Sequence, residues 1–291
     1  MTAIDPVAAA RAVAAECARA YQDVFAERLI AAYLLGSLAY GGYAPAVSDI
    51  DLAVILTGAR DSDPGTVRTT SETLRGQGSL HRKLSVFWGS LPALRDGHDD
   101  GRFPALDRLE LTDHSVLLLG VDVAGQVARP ATDELQLASA RFAVDVLATD
   151  EVTAEFDRPC RLLTDPVWFT KAVLFPVRFL CTNTKTTGRA ATNDEAVDWY
   201  LAQPRAAAQS LVRLAAWVRA GHPLDPAQAA PQLAAGLIPL YRHYVDEQTR
   251  RLHRASAPVD LVTAFTRWGQ RLAGLAPTAA APSVDTASER P

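Results

Sequence analysis

The chain has 291 residues, 48% apolar and 21% charged, with a net charge of −4 and a pI near 5.9. That length allows one large domain or two modest ones. The acidic balance and the lack of any basic stretch argue against nucleic acid as the main partner, and no apolar run approaches the roughly 20 residues that span a bilayer.

Met1 to Ala15 lacks the basic start and apolar core of a secretory signal. Asp5-Pro6 reads as a helix start, a capping side chain followed by Pro at the first helical position. Val7, Val13, Cys17, Tyr21, Val24 and Phe25 then recur at helical spacing. Ala31 to Leu35 is a short apolar run that stops at Gly36-Ser37, a buried strand feeding a tight turn. Gly41-Gly42 and Pro45 keep any helix between Leu38 and Ala46 short. Asp49 to Leu56 is a second strand, and its unbroken apolar end, Leu52 to Leu56, implies burial on both faces. A helix is expected over Thr66 to Arg75, a third strand over Lys83 to Trp88, and a fourth apolar run over His114 to Leu119, with a loop-rich stretch at Gly89 to Pro104.

Beyond about Asp133 the pattern becomes helical: Asp133 to Thr149, Pro166 to Thr182, Asn193 to Ala202, Ala206 to Ala220, Pro239 to Arg254 and Val259 to Leu275. These segments predict a helical bundle. The expected division is an α/β domain with a mixed sheet over residues 1–125 and an all-α domain over 126–276. The Ala/Pro/Ser/Thr-rich tail 277–291 has the composition of a disordered segment. Cys17, Cys160 and Cys181 fit no zinc or redox spacing and read as thiols in a reducing cytoplasm. Trp88, Trp168, Trp199, Trp217 and Trp268 read as core or interface residues.

The chemistry is concentrated in Leu34-Leu35-Gly36-Ser37 and Ser48-Asp49-Ile50-Asp51-Leu52. On a strand, residues i and i+2 share a face, so Asp49 and Asp51 stand side by side. Adjacent carboxylates repel unless a cation lies between them. Mg²⁺, which takes one or two carboxylates plus phosphate oxygens and waters, suits the pair. Gly36 lets the backbone approach closely, so that backbone N–H groups and the Ser37 hydroxyl can hold a triphosphate, with Ser48 beside them.

A Gly-Ser turn followed by Asp-x-Asp resembles the signature of the DNA polymerase β-type nucleotidyltransferase superfamily, and the chain looks most like bacterial aminoglycoside 3''-adenylyltransferases. The likeness continues through Asp113-His114-Ser115-Val116 to Gly120, Lys171 to Arg178, Thr187-Gly188, and Asn193-Asp194-Glu195-Ala196-Val197-Asp198-Trp199. It spans about residues 25 to 220. It implies Mg²⁺-dependent transfer of AMP from ATP to a hydroxyl of a small acceptor such as streptomycin or spectinomycin. Asp194 and Asp198 match acidic residues that meet the cationic drug, although Thr192-x-x-Glu195 equally reads as a capping box. Lys171, and more weakly Arg205, are candidates to reach a phosphate.

Two departures stand out. The family carries a Glu, proposed as the general base, where this chain has Leu84-Ser85-Val86. Ser85 cannot act as that base, so Asp96, Glu110 or His81 is a possible substitute, or the protein binds nucleotide without transferring it. Leu180-Cys181 also stand where relatives carry Trp-Tyr, which bears on the sugar site.

Overall fold

The structure is a computed structural model, and it describes residues 5–184 and 190–275. The expected Thr187-Gly188 element and the tail 277–291 lie outside the described residues, as does the side chain of Cys160. Helix α1 (Pro6–Phe25) is capped by Asp5, whose carboxylate accepts from the Val7 N–H at 3.0 Å. Its stripe buries Val13, Cys17, Tyr21 and Phe25, while Val24 stays exposed. Strand β1 (Leu29–Leu35), helix α2 (Gly36–Tyr40), strand β2 (Ile50–Leu56), helix α3 (Asp63–Arg75) and strand β3 (Leu84–Ser90) follow. Then come α4 (Leu91–Arg95), α5 (Ala105–His114) and β4 (Val116–Gly120).

The sheet order is β3-β2-β1-β4. The β1 strand pairs antiparallel with β2 and β4, and β2 pairs parallel with β3, so the sheet is mixed as expected. Alternation along β2 decides what reaches the site. Ile50, Leu52, Val54 and Leu56 join the core under α1 and α3. Ala53 and Ile55 face the other side, with Phe87, Leu94, Phe103 and Leu111. By the same period of two, Asp51 points to that second face, the one α5 covers. Every residue from Leu52 to Leu56 is fully buried.

The helical part comprises α6 (Thr132–Phe142), α7 (Asp150–Asp157), α8 (Cys160–Thr164), α9 (Pro166–Thr184), α10 (Asn193–Leu201), α11 (Gln209–Arg219), α12 (Pro226–Arg254) and α13 (Val259–Gly274). The single helix expected over Asp133 to Thr149 instead runs into a π-helical turn at Ala143–Leu147, and α7 starts afresh at a Thr149 cap. Conversely, α12 begins thirteen residues before Pro239, starting at Pro226, and passes through both Pro231 and Pro239. Each proline forfeits a backbone bond, but Ala229, Leu233, Gly236, Leu237 and Leu240 are buried along this length, and packing holds the helix. A large apolar core from Ala140 to Leu272 unites these helices. Among the described residues, no helix is long and apolar enough to cross a membrane.

The tryptophans divide. Trp88 and Trp268 are core residues and Trp199 packs against the core. Trp168 and Trp217 are exposed, contrary to expectation. Their faces are covered locally instead: the Arg161 guanidinium lies 4.3 Å from the Trp168 ring centroid, and the His222 ring stacks on Trp217.

Candidate active site

Strand β1 ends at the Gly36 turn. Gly36 has φ +61°, and a Cβ there would stand 2.2 Å from Asp51 Oδ2. Only glycine meets both demands, the left-handed backbone and the close approach of the Asp51 carboxylate. The turn is tied to the segment before β2 through side chains. Ser37 Oγ donates to Ser48 Oγ at 3.1 Å, and the Ala44 N–H donates to the same oxygen at 3.0 Å. Asp49 and Asp51, two residues apart at the head of β2, are thereby brought against Gly36 and Ser37.

The second wall of the cleft is helical. Lys171 on α9 donates to Asp49 Oδ2 at 2.8 Å. Arg178, two turns further along, pairs with Glu110 on α5. Arg219 at the end of α11 donates to the Gly42 carbonyl at 2.6 Å and to Ser48 Oγ at 3.4 Å. Gly36, Ser37, Tyr40, Ser48, Asp49 and Asp51 thus share one cleft with Asp107, Glu110, Lys171, Arg178, Asn193 and Arg219. The space between the sheet and the helices is lined by four carboxylates and three fixed cations.

The electrostatics follow from crowding. Burial, reinforced by the charges of Glu110 and Asp49, pushes the Asp51 carboxyl up to about 7. Asp107 is raised well above the ordinary carboxylate range, first by burial and then by Glu110 and Asp51. Burial likewise lowers the Lys83 ammonium, whose Nζ caps the Pro45 and Ser48 carbonyls below the Asp49 turn. A site that raises its own acids in this way is short of positive charge.

A divalent ion fits that shortage. Asp49 and Asp51 supply two hard oxygen donors on one face. Among the described residues, no three His, Cys, Asp or Glu side chains are arranged to hold an ion alone. The remaining oxygens would come from nucleotide phosphates and water, which is the coordination Mg²⁺ favours.

The structure brings together Gly36, Ser37, Ser48, Asp49, Asp51 and Lys171 from the sequence reading, along with Glu110. Others lie elsewhere. Arg205 is exposed after α10 and lines a separate cavity with Trp199, Glu247 and Arg251, away from the Gly36-Ser37 turn. Arg219 occupies the position by Ser48. Asp194 and Asp198 are exposed, and neither lines the cleft, whereas Asn193 does. The rotation of about 100° per residue sets them on a neighbouring face of α10. Asp194 is close enough for its charge to act on Arg219. The capping box forms in full, with Thr192 and Glu195 each accepting from the other's backbone N–H.

Ser85 lies directly beside Asp51 in the parallel register, on the same face of the sheet, but outside the cleft lining. Asp96 is exposed at the end of α4. His81 faces Glu16 of α1 at 3.5 Å, on the other side of the sheet. Asp107, Arg178 and Arg219 enter the site without having been singled out as ligands from sequence. Asp107 and Glu110 at i and i+3 amid Leu106, Leu109 and Leu111 were the available signal.

No protein-family model matches the chain, and no curated protein matches its sequence. Solved structures do match. One is the spectinomycin adenyltransferase AAD(9) from Enterococcus faecialis, crystallised with ATP and spectinomycin. It aligns at 13% identity and a TM-score of 0.51, over 89% of this chain and 98% of that one. At that identity the shared property is the fold: this chain has an adenylyltransferase-like nucleotidyltransferase fold, a mixed-sheet region followed by a helical one.

Proposed function

We propose that the protein transfers AMP from ATP to a hydroxyl of a small, cationic acceptor, with Mg²⁺ as cofactor. The observation that carries this reading is the convergence of Gly36-Ser37, Asp49 and Asp51 in a cleft whose opposite wall presents Lys171 and Arg219. Asp49 and Asp51 would hold the ion, which stabilises charge on the phosphates when bound. The Gly36-Ser37 turn and Ser48 cradle the triphosphate, and Arg219 sets its direction from the α11 side. Lys171, one-third exposed and tied to Asp49 in the apo site, is free to turn to a phosphate oxygen once Asp49 has a new partner.

The acceptor assignment rests on charge. Four carboxylates line the cleft, so an amino-sugar-like cation is favoured over an acid. Asp194 and Asp198, exposed beside Asn193, are proposed to draw the cation toward the mouth without forming the floor. The separate apolar cores, one reaching to Val127 and the other running from Ala140, support a two-domain organisation, drawn as 1–125 and 126–276, with the nucleotide between them. Interdomain clefts commonly hold ligands.

A second reading, nucleotide binding without transfer, is favoured by one observation: the strand position beside Asp51 is Ser85, not a carboxylate. The two readings separate in one assay. Wild type with ATP labelled at the α-phosphate, Mg²⁺, and streptomycin or spectinomycin should yield labelled acceptor and pyrophosphate, with Asp49→Asn as the blank. ATP binding with no label transferred to either compound would support the binding-only reading.

A further inference from the structure

We propose that Asp107 is the catalytic base of this site, taking over from helix α5 the task that Ser85 cannot perform from strand β3. The inference rests on the transferase reading above. The four cleft carboxylates have distinct situations. Asp49 is engaged by Lys171 at 2.8 Å, and Glu110 by Arg178. Asp51 packs against the Gly36 turn and completes the metal pair. Among the described residues, no hydrogen bond or ion pair engages Asp107, yet it lines the cleft and feels the charges of both Asp51 and Glu110.

Its placement follows from the fold. Asp107 stands in the first turn of α5, three residues before Glu110, so the two carboxylates share a helix face. The buried pair of Glu110 and Arg178 anchors that face to α9, which holds α5 against the cleft. Leu109 and Leu111 are buried on either side of it. The carboxylate is thus held on a helix and not on a loop, as a positioned base requires.

In the step, the acceptor oxygen forms a bond to the α-phosphorus of ATP. The bond from that phosphorus to its bridging oxygen breaks, and the electron pair leaves with pyrophosphate. The hydroxyl proton passes to the Asp107 carboxylate. Every atom and charge is accounted for with no further reactant.

The test compares wild type, Asp107→Asn and Asp107→Ala with spectinomycin and streptomycin as acceptors, measuring kcat, KM and ATP·Mg²⁺ affinity. The Asn variant keeps the shape and cannot add a charge to the crowded site, so it should fold at least as well as wild type. Loss of a positioned base should lower kcat by about 10²–10⁴-fold, with acceptor KM and ATP affinity within about twofold. Added formate should restore part of the Ala variant's turnover and none of the Asn variant's. Undiminished kcat in Asp107→Asn would overturn the proposal. So would a raised KM with kcat retained, which would make Asp107 an acceptor-binding residue, or lost ATP affinity, which would make it part of the metal site. A wild type that binds ATP but transfers to neither acceptor would overturn the transferase reading and this proposal together. A drop confined to the Asn and Ala variants' binding or KM overturns this proposal alone.

Discussion

Replacing Gly36 by Ala perturbs the site at the point where backbone and chemistry are most tightly joined. Two costs add. The first is conformational, because φ at Gly36 is +61° and an L-residue in the left-handed region costs about 1–2 kcal/mol. The second is steric. The new methyl would lie 2.2 Å from Asp51 Oδ2 and 3.1 Å from its carboxyl carbon, and overpacking of this kind costs about 1–3 kcal/mol. The sum is about 2–5 kcal/mol, or roughly 4–10 °C in Tm at about 2 °C per kcal/mol for a chain of this size. The two parts can be separated, since the clash is with a side chain that can be removed. An Asp51→Ala background removes the two nearest atoms and leaves the Asp51 Cβ at an ordinary 3.4 Å. The steric part should then vanish while the backbone part stays. A double-mutant cycle by urea denaturation should show a coupling of at least about 1 kcal/mol between positions 36 and 51. Gly36→Ala within about 0.5 kcal/mol of wild type, the range of an ordinary surface change, or a cycle with no coupling, would refute the account of the turn.

The crowding of carboxylates predicts a pH dependence. Asp51 titrates near 7 in the folded apo protein and near 3.9 when unfolded, so the folded state holds its proton longer. Stability contributed at this position is therefore fully present below pH 4 and is lost as pH rises through 7, by an amount on the order of a few kcal/mol at most. Subtracting the profile of Asp51→Asn isolates the effect. Mg²⁺ with ATP should flatten the difference, and a difference that rises with pH would contradict it. Restoring an acid with Ser85→Glu places a third carboxylate beside Asp51 in the parallel register. The apo variant should be less stable than wild type, and Mg²⁺ should recover the loss. Its turnover should exceed that of Asp107→Asn alone by about 10²-fold or more when the two changes are combined. No gain in that background would show that a carboxylate at position 85 does not reach the acceptor.

The Gly36-Ser37 turn, the adjacent carboxylates and the strands that carry them were legible because their signals are local. An apolar run stops at a glycine, and two acids alternate at a strand head. The cap at Asp5 and the box at Thr192 are local for the same reason. Helix α5 was not legible. It buries Arg108 and Glu110 almost completely, and charged residues are normally read as exposed. Their burial depends on partners far away in sequence, Glu134 for Arg108 and Arg178 for Glu110. The choice of Arg219 over Arg205 is equally non-local. Arg205 follows α10 and Arg219 is the last residue of α11, and only the packing of α11 against α9 decides which one faces Ser48. The run of α12 through two prolines has the same origin, since core contacts outweigh the bonds that the prolines remove.

The central claim is that Asp49 and Asp51 hold a cation that presents a nucleotide to the Gly36-Ser37 turn. Calorimetric titration of ATP into wild type and Asp49→Asn/Asp51→Asn, each with Mg²⁺ and with chelator, tests it most directly. Wild type should bind ATP tightly only with Mg²⁺, and the double variant should bind weakly in both conditions. Equal affinity for wild type and double variant in the presence of Mg²⁺ would contradict the account.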